Sequence, residues 1–379
     1  MTTSKPLYFA TDADIFDLIE PEIKRFSKTR LLELALRRGI ILSPAEDRVD
    51  IIQFLSTLPF SQSQLQDLCD QIESPGRAQR TTSVRINTSA HANTFADTIT
   101  DLQKARTDKD EQWLVTKKDD CLEIKVGYTE LNHRKSSLRQ RTENEVTLQV
   151  EPTSTGEYTI RHTANPKAKE IAEKLVQKLE SRSATPIPII PISLSGIVDR
   201  GARTKFWVEL IKQTQGLVPY SVTKVGVCRD MASTPLGADA GEEDSEEDSE
   251  SAEELLTAGL IHKAVFEGDE VFESAEFQNT QTAFFVYKAS WLADSTSGDR
   301  FEIEAQFRDS AAAHQFVYIV KNVLRKKESG GFYKTSQRPS AGEIRELSRA
   351  LEDSAHLIAA KLEHAFAIPV PNTVDMVGV

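Results

Sequence analysis

Cysteine is scarce in this chain. Three occur in 379 residues, Cys69, Cys121 and Cys228, far apart and odd in number. None stands in a CxxC pair or at ligand spacing from a histidine, so neither a disulfide framework nor a zinc site is indicated. Free thiols suit a reducing, cytoplasmic compartment. Long apolar runs are missing too: nowhere do 18 apolar residues follow one another, and MTTSKPLYFATDADIFDLIE has no basic start leading into an apolar segment. The expectation is a chain that neither spans a membrane nor is secreted. The histidines, at 91, 133, 162, 262, 314, 356 and 364, form no HExxH or HxH pattern, and P-loop, GxGxxG and GxSxG sequences are all lacking. Those reaction classes lose their usual signatures, and no cofactor is expected.

Positive charge is in deficit, with 46 bases against 58 acids and a net charge of −12. The deficit is uneven. Residues 239 to 254, DAGEEDSEEDSESAEE, hold ten carboxylates and no base, and the remainder of the chain lies near −2. Such a tract repels itself and lacks apolar residues, so a disordered acidic insertion over 231–254 is expected. Against that background three basic clusters stand out. They are Lys24, Arg25, Lys28, Arg30, Arg37 and Arg38; then His133, Arg134, Lys135, Arg139 and Arg141; and last Arg325, Lys326, Lys327, Lys334 and Arg338. Clusters of this kind suit phosphate.

What the chain does have is 39% apolar residues over a length that suggests two or three domains. Composition breaks at 74–82, 183–191 and 328–342 mark off an N-terminal helical part (1–76), two middle blocks (82–182 and 186–327) and a C-terminal helix (340–367). In the first block TTSVRIN reads as a strand. A helix with Phe95, Ile99 and Leu102 follows, then strands QWLVTK, CLEIKVGY, EVTLQVE and EYTIRHT, and a helix opened by Asn165-Pro166. The second block begins with PIIPISLSG and the helix RTKFWVELIKQT. Strands YSVTKVGVC, LIHKAVFEG, TAFFVYKASW and RFEIEAQF come next, and a helix over AAAHQFVYIVKNVL, capped by Asp309, closes it.

Both blocks therefore read β-α-β-β-β-β-α, an α+β fold of antiparallel sheets with helices on one face. Strict alternation in CLEIKVGY and RFEIEAQF gives each sheet one apolar and one wet face. Glu123, Lys125, Thr147, Gln149, Arg161, Glu302 and Glu304 would line an open polar floor. This order resembles the duplicated half of the TATA-binding-protein fold over about residues 82 to 327. The resemblance implies a curved sheet with a solvent-facing side, which that family uses to grip the minor groove. Here the wet faces mix charges and no phenylalanine wedges can be placed, which favours docking of a protein partner.

In the N-terminal part, RLLELALRRGIILSPAEDRVDIIQFL (30–55) reads as a helix started at Ser27 and stopped by Gly39. An extended IILSP and a second helix capped by Asp47 follow. Leu32, Leu36, Gly39, Ile40, Arg48, Ile51, Ile52 and Leu55 resemble the SAP-type helix-extended-loop-helix DNA-binding module. The resemblance implies phosphate contacts from Lys28, Arg30, Arg37, Arg38 and Arg48; Glu46 and Asp47 stand where such modules carry glycine and lysine. Arg134, Lys135, Arg139 and Arg141 join them as candidate nucleic-acid contacts.

Glu123-Ile124-Lys125 resembles the second half of the PD-(D/E)xK nuclease signature, with Asp119 or Asp110 as a further ligand for a divalent metal. Finally, Ser340 to Glu343 is a capping-box pattern opening a long helix whose Ile344, Leu347, Leu351, Ala355, Ile358 and Leu362 make one apolar stripe. That stripe needs a cover, either the chain's own core or a homodimer partner. The function expected from these features is a non-catalytic nucleic-acid-binding or adaptor subunit. Its partners would be a DNA or RNA backbone and a protein of a multi-component genome-maintenance or antiviral defence system. The alternatives are a metal-dependent nuclease and a protein-protein scaffold.

Overall fold

A computed structural model describes residues 10–73, 79–105, 111–118, 121–132, 138, 140–154, 156–183, 185–229, 263–268, 271–274, 277, 279 and 283–366. The acidic tract lies outside the described residues. The chain divides into two compact units, a smaller one (1–77, 97–118 and 122–147) and a larger one (78–96, 119–121 and 148–379). The fold is α+β, with helices at the N-terminus, antiparallel strands in the middle and a long C-terminal helix.

The smaller unit opens with four helices: α1 (Asp12–Ile19), α2 (Lys28–Arg37), α3 (Arg48–Ser56) and α4 (Gln62–Glu73). Helix α1 was not foreseen, yet its start is locally encoded. Thr11 Oγ1 accepts the Asp14 N–H at 3.1 Å while Asp14 accepts the Thr11 N–H at 3.0 Å, a reciprocal capping box. Ile15, Leu18 and Ile19 of α1 bury against Leu31 and Ala35 of α2 and Ile51, Ile52 and Leu55 of α3. Gly39 ends α2 at φ 76°. Ile40 N–H then reaches back to Ala35 O (3.0 Å) and Gly39 N–H to Leu36 O (2.8 Å), the paired bonds of a Schellman stop. Asp47 occupies the cap position of α3 without a side-chain capping bond. The unit also holds most of α5 (Ala92–Ala105), then β2 (Gln112–Lys118), nearly all of β3 (Cys121–Leu131) and the start of β4 (Arg141–Ser154).

The larger unit contains β1 (Thr81–Asn87), the end of β4, β5 (Glu157–Thr163), α6 (Pro166–Ser183), β6 (Ile189–Pro191) and α7 (Arg200–Gln213). After these come β7 (Leu217–Arg229), β8 (Lys263–Glu267), β9 (Phe284–Ser295), β10 (Arg300–Asp309), β11 (His314–Leu324) and α8 (Ala341–Phe366). Its strands run in the order β4-β5-β1-β11-β10-β9-β7-β8, with β6 also on β1. Strand β1 pairs with β5 along its whole length. On its other edge only Thr81 meets β11, opposite Tyr318, whereas Val84 to Ile86 meet β6.

The first block keeps the expected element order. The second departs from it: the segment expected as a closing helix, AAAHQFVYIVKNVL, contains strand β11. Val317, Tyr318, Ile319, Val320 and Val323 are β-branched or aromatic and favour a pleated surface. Asp309 does accept a capping-type bond, from Ala312 N–H at 3.0 Å, but Ala313 and Gln315 then take positive φ (50° and 59°). The chain reverses into a hairpin in which Asp309 opposes His314. The block thus has five strands after its helix, and α8 supplies the closing helix.

Opposed residues on antiparallel strands share a face, which fixes where the helices lie. Ala305, Phe307, Phe316 and Tyr318 share a face and join the core beneath α7 and α8. Phe206 and Trp207 of α7 pack edge-on to one another with ring centres 5.5 Å apart, and Trp207 lies at the same distance from Phe307. Through Thr81 this face continues to Ser83 and Arg85 on β1, and to Thr163 and Arg161 on β5. On the reverse face are Thr82, His162 and Ile160. The apolar stripe of α8, from Leu347 to Leu362, is buried in the chain's own core, so the surface a partner helix would have used is filled internally.

Candidate functional site

The basic residues of the N-terminal module separate into two kinds. Arg48 is structural: its Nε donates to Phe26 O (3.0 Å), and one terminal nitrogen donates to Ile19 O (3.2 Å) and Glu20 O (2.9 Å). It closes the carbonyl end of α1, where a cation also meets the helix dipole. Arg38 is tied in a similar way, to Pro59 O (2.5 Å) and Gln64 Oε1 (3.0 Å), with its guanidinium 3.9 Å above the Phe60 ring. Both were expected at phosphate; both hold loops.

The other kind faces outward. Arg37 is exposed, as is Arg30, which spends one N–H on Arg25 O at 3.1 Å. Seven residues apart on α2, the two fall on one ridge about two turns long. Lys28 is half-buried and Lys24 exposed. Leu36, expected to pack, is instead exposed beside this ridge, and Ile41 is exposed in the loop after it. Of the second basic cluster, Arg134, Lys135 and Arg139 lie outside the described residues, and Arg141 opens β4. In the third cluster Arg325 is bound by Asp299 at 2.9 Å and by Glu343, and serves to anchor the start of α8.

The expected open floor is covered where α8 crosses it. Arg161 is buried there, donating to both oxygens of Glu352 (2.9 and 2.6 Å), to Gln149 (3.1 Å) and to Glu151 (3.4 Å). Tyr318 Oη donates to Glu352 at 2.5 Å, and Arg345 pairs with Glu151. Burial raises the Tyr318 phenol far above its ordinary range, and the Glu352 charge adds to this. Burial and the neighbouring Glu151 push the Cys121 thiol up to about 11, so it remains a thiol at neutral pH. Nothing in the alternation of EYTIRHT distinguished a wet-face arginine from a buried one. The partner acid on α8, Glu352, was the missing information.

Glu304 was expected on the same floor, but the strand registers put Arg161 on the face of Tyr318 and Ala305 and therefore put Glu304 on the opposite face of the sheet. Glu304 is buried and contacted by Arg80 (2.7 Å), Lys321 (2.7 Å) and Lys288 (3.5 Å). Burial opposes its ionisation, but the Lys321 hydrogen bond and the Lys288 and Arg80 charges override it and bring the carboxyl down to about 2. Glu302 shares Lys321 at 3.4 Å. Each acid is therefore an ion-pair acceptor for lysines on neighbouring strands.

Glu123 and Lys125 are half-buried on β3, whereas Asp119 and Asp110 lie outside the described residues. Among the described residues no three His, Cys, Asp or Glu side chains gather as a metal site. Also among them, no helix is long and apolar enough to cross a membrane. Comparison with known proteins finds no family model that matches the chain and no match among curated proteins.

Proposed function

We propose that this chain is a non-catalytic nucleic-acid-binding adaptor in which the exposed ridge of α2 holds backbone phosphate. The observation that carries this reading is the division of the arginines. Arg48 is held by three backbone carbonyls and Arg38 by Pro59 O and Gln64 Oε1, while Arg30 and Arg37 stand exposed on one helical face with donor capacity left. Arginine forks pair with phosphate without reading base identity. The charged sheet face around Lys321 and Glu302 is the surface offered to a protein partner.

Fluorescence anisotropy with labelled single- and double-stranded DNA and RNA tests the reading. Affinity should fall steeply between 50 and 200 mM salt, by about tenfold or more if several phosphates are neutralised. Arg30→Ala with Arg37→Ala should weaken binding to all sequences alike and flatten the salt slope, with the melting temperature unchanged. Absence of binding to every nucleic acid at low salt, or an unaltered double variant, refutes it.

A further inference from the structure

Between α6 and the sheet of the larger unit lies a partly open cavity of about 500 Å³. It forms where β1 loses its neighbour. Thr81 faces Tyr318 of β11 and Val84 faces Pro191 of β6, so no β11 or β6 residue is paired with Thr82 and Ser83 on that edge. Ala172 and Val176 of α6, Val84 and Ile192 give it aliphatic walls. Its volume is in the range that holds a small organic ligand.

Two histidines line this cavity, and their hydrogen bonds fix what they can offer. His162 is only 6% exposed, and its Nδ1 lies 2.8 Å from Thr163 O. A carbonyl can only accept, so Nδ1 carries the proton. Burial lowers the pKa of this imidazole, which is therefore neutral at pH 7. Its Nε2 is then an acceptor with no partner among the described residues. His314 Nδ1 lies 3.1 Å from Ser193 Oγ, whose own hydrogen is directed at Ser195 Oγ (3.0 Å), so this Nδ1 also donates. Its Nε2 has no hydrogen-bond partner among the described residues. Lys169, Glu173 and Arg308 stand exposed at the rim.

An apolar slot with the lone-pair acceptor of His162 in its wall suits a flat ligand that presents an N–H at its edge. We infer that the cavity binds a nucleobase bearing an exocyclic amino group, its N–H donating to the imidazole Nε2 of His162 and its faces held by the aliphatic walls. Rim cations would accompany the attached phosphate. The base could be supplied by a free nucleotide or by an unpaired residue of a single strand; both present the same edge. None of its residues belongs to the α2 ridge, and neither proposal depends on the other.

Calorimetric titration of the full chain with nucleosides is the test. Adenosine and cytidine should bind, while N6,N6-dimethyladenosine, whose amino group has no N–H left to donate, should bind about tenfold more weakly, the value of one lost hydrogen bond. His162→Phe should weaken adenosine binding to the level of the dimethylated analogue. Ala172→Trp, which fills the slot from α6, should abolish binding with a cooperative melt retained, and so covers the case in which His162→Phe fails to fold. Titrations with adenosine monophosphate and with a short oligo-dA then distinguish free nucleotide from strand, and binding of either one supports the site. No heat with any nucleoside at about 5 mM, equal affinity for adenosine and its dimethyl analogue, or binding retained in Ala172→Trp would overturn the inference.

Discussion

Arg161 of β5 and Glu352 of α8, 191 residues apart in sequence, meet in a buried fork of two hydrogen bonds, 2.9 and 2.6 Å long. The contact joins the C-terminal helix to a strand of the first block. Tyr318 of β11 reaches the same carboxylate. A charge pair out of water gains attraction but loses hydration, so its net worth is small; removing one partner, however, leaves the other charge buried alone. Glu352→Gln should therefore destabilise the larger unit by about 3 to 5 kcal/mol in urea denaturation. The paired substitution Arg161→Met with Glu352→Leu should recover most of that loss. Equal destabilisation by the single and paired variants would show that geometry, rather than uncompensated charge, governs the site.

His356, one turn further along α8, makes stability depend on pH. It is buried, its Nε2 has no hydrogen-bond partner, and burial together with nearby Arg85 lowers its pKa from 6.5 to about 3. The folded state thus resists a proton that the unfolded chain accepts. Stability from this group is complete above pH 6.5 and declines as pH falls towards 3, at about 1.4 kcal/mol per pH unit. Thermal melts from pH 7 to pH 4.5 should show the decline, and His356→Leu should flatten it. Glu304, whose pKa is depressed from 4.5 to about 2, adds its own loss at lower pH, as the carboxylate is protonated. A melting curve of His356→Leu as steep as that of the parent would rule out this assignment.

Local chemistry made much of the fold legible. The capping box Ser340/Glu343, the Asn165-Pro166 start of α6, the Gly39 stop and the alternating strands all occur where their residue types dictate. What was not legible depended on partners distant in sequence. In HQFVYIVKNVL the apolar spacing satisfies a helical face and a strand alike. Antiparallel pairing with β10 decides for the strand. The division of the arginines was invisible for the same reason: Arg48 and Arg37 are alike in sequence context, and only the approach of the end of α1 commits Arg48. His162 carried no motif, because its significance lies in a cavity made by α6, β1 and the parting of β6 from β11.

That division predicts two opposite phenotypes. Arg48→Ala deletes three hydrogen bonds to carbonyl groups and leaves the end of α1 uncapped. The smaller unit should lose about 2 to 3 kcal/mol, since bonds from a charged donor are worth more than neutral ones. Arg37→Ala removes no hydrogen bond or ion pair among the described residues and should leave stability within about 0.5 kcal/mol. Hydrogen exchange over α1 and α3 should quicken in Arg48→Ala alone. Comparable protection in the two variants would contradict the structural role of Arg48.

Gly39 offers a test of the turn that presents the α2 ridge. Its φ of 76° is in the left-handed region, and a Cβ placed there would meet no atom within 4 Å. The cost of a side chain is therefore backbone strain alone, free of any clash. Gly39→Ala should destabilise the module by about 1 kcal/mol, and Gly39→Asn, which tolerates this conformation better, should lose less. Because Arg37 and Ile40 flank the turn, fraying of the Schellman bonds should also loosen the end of the ridge. Exchange of the Gly39 and Ile40 amides, bonded to Leu36 O and Ala35 O in the folded chain, reports this directly. If alanine and asparagine at this position prove equally harmful, steric crowding would be the cause, and the open surroundings of Gly39 would have to be abandoned.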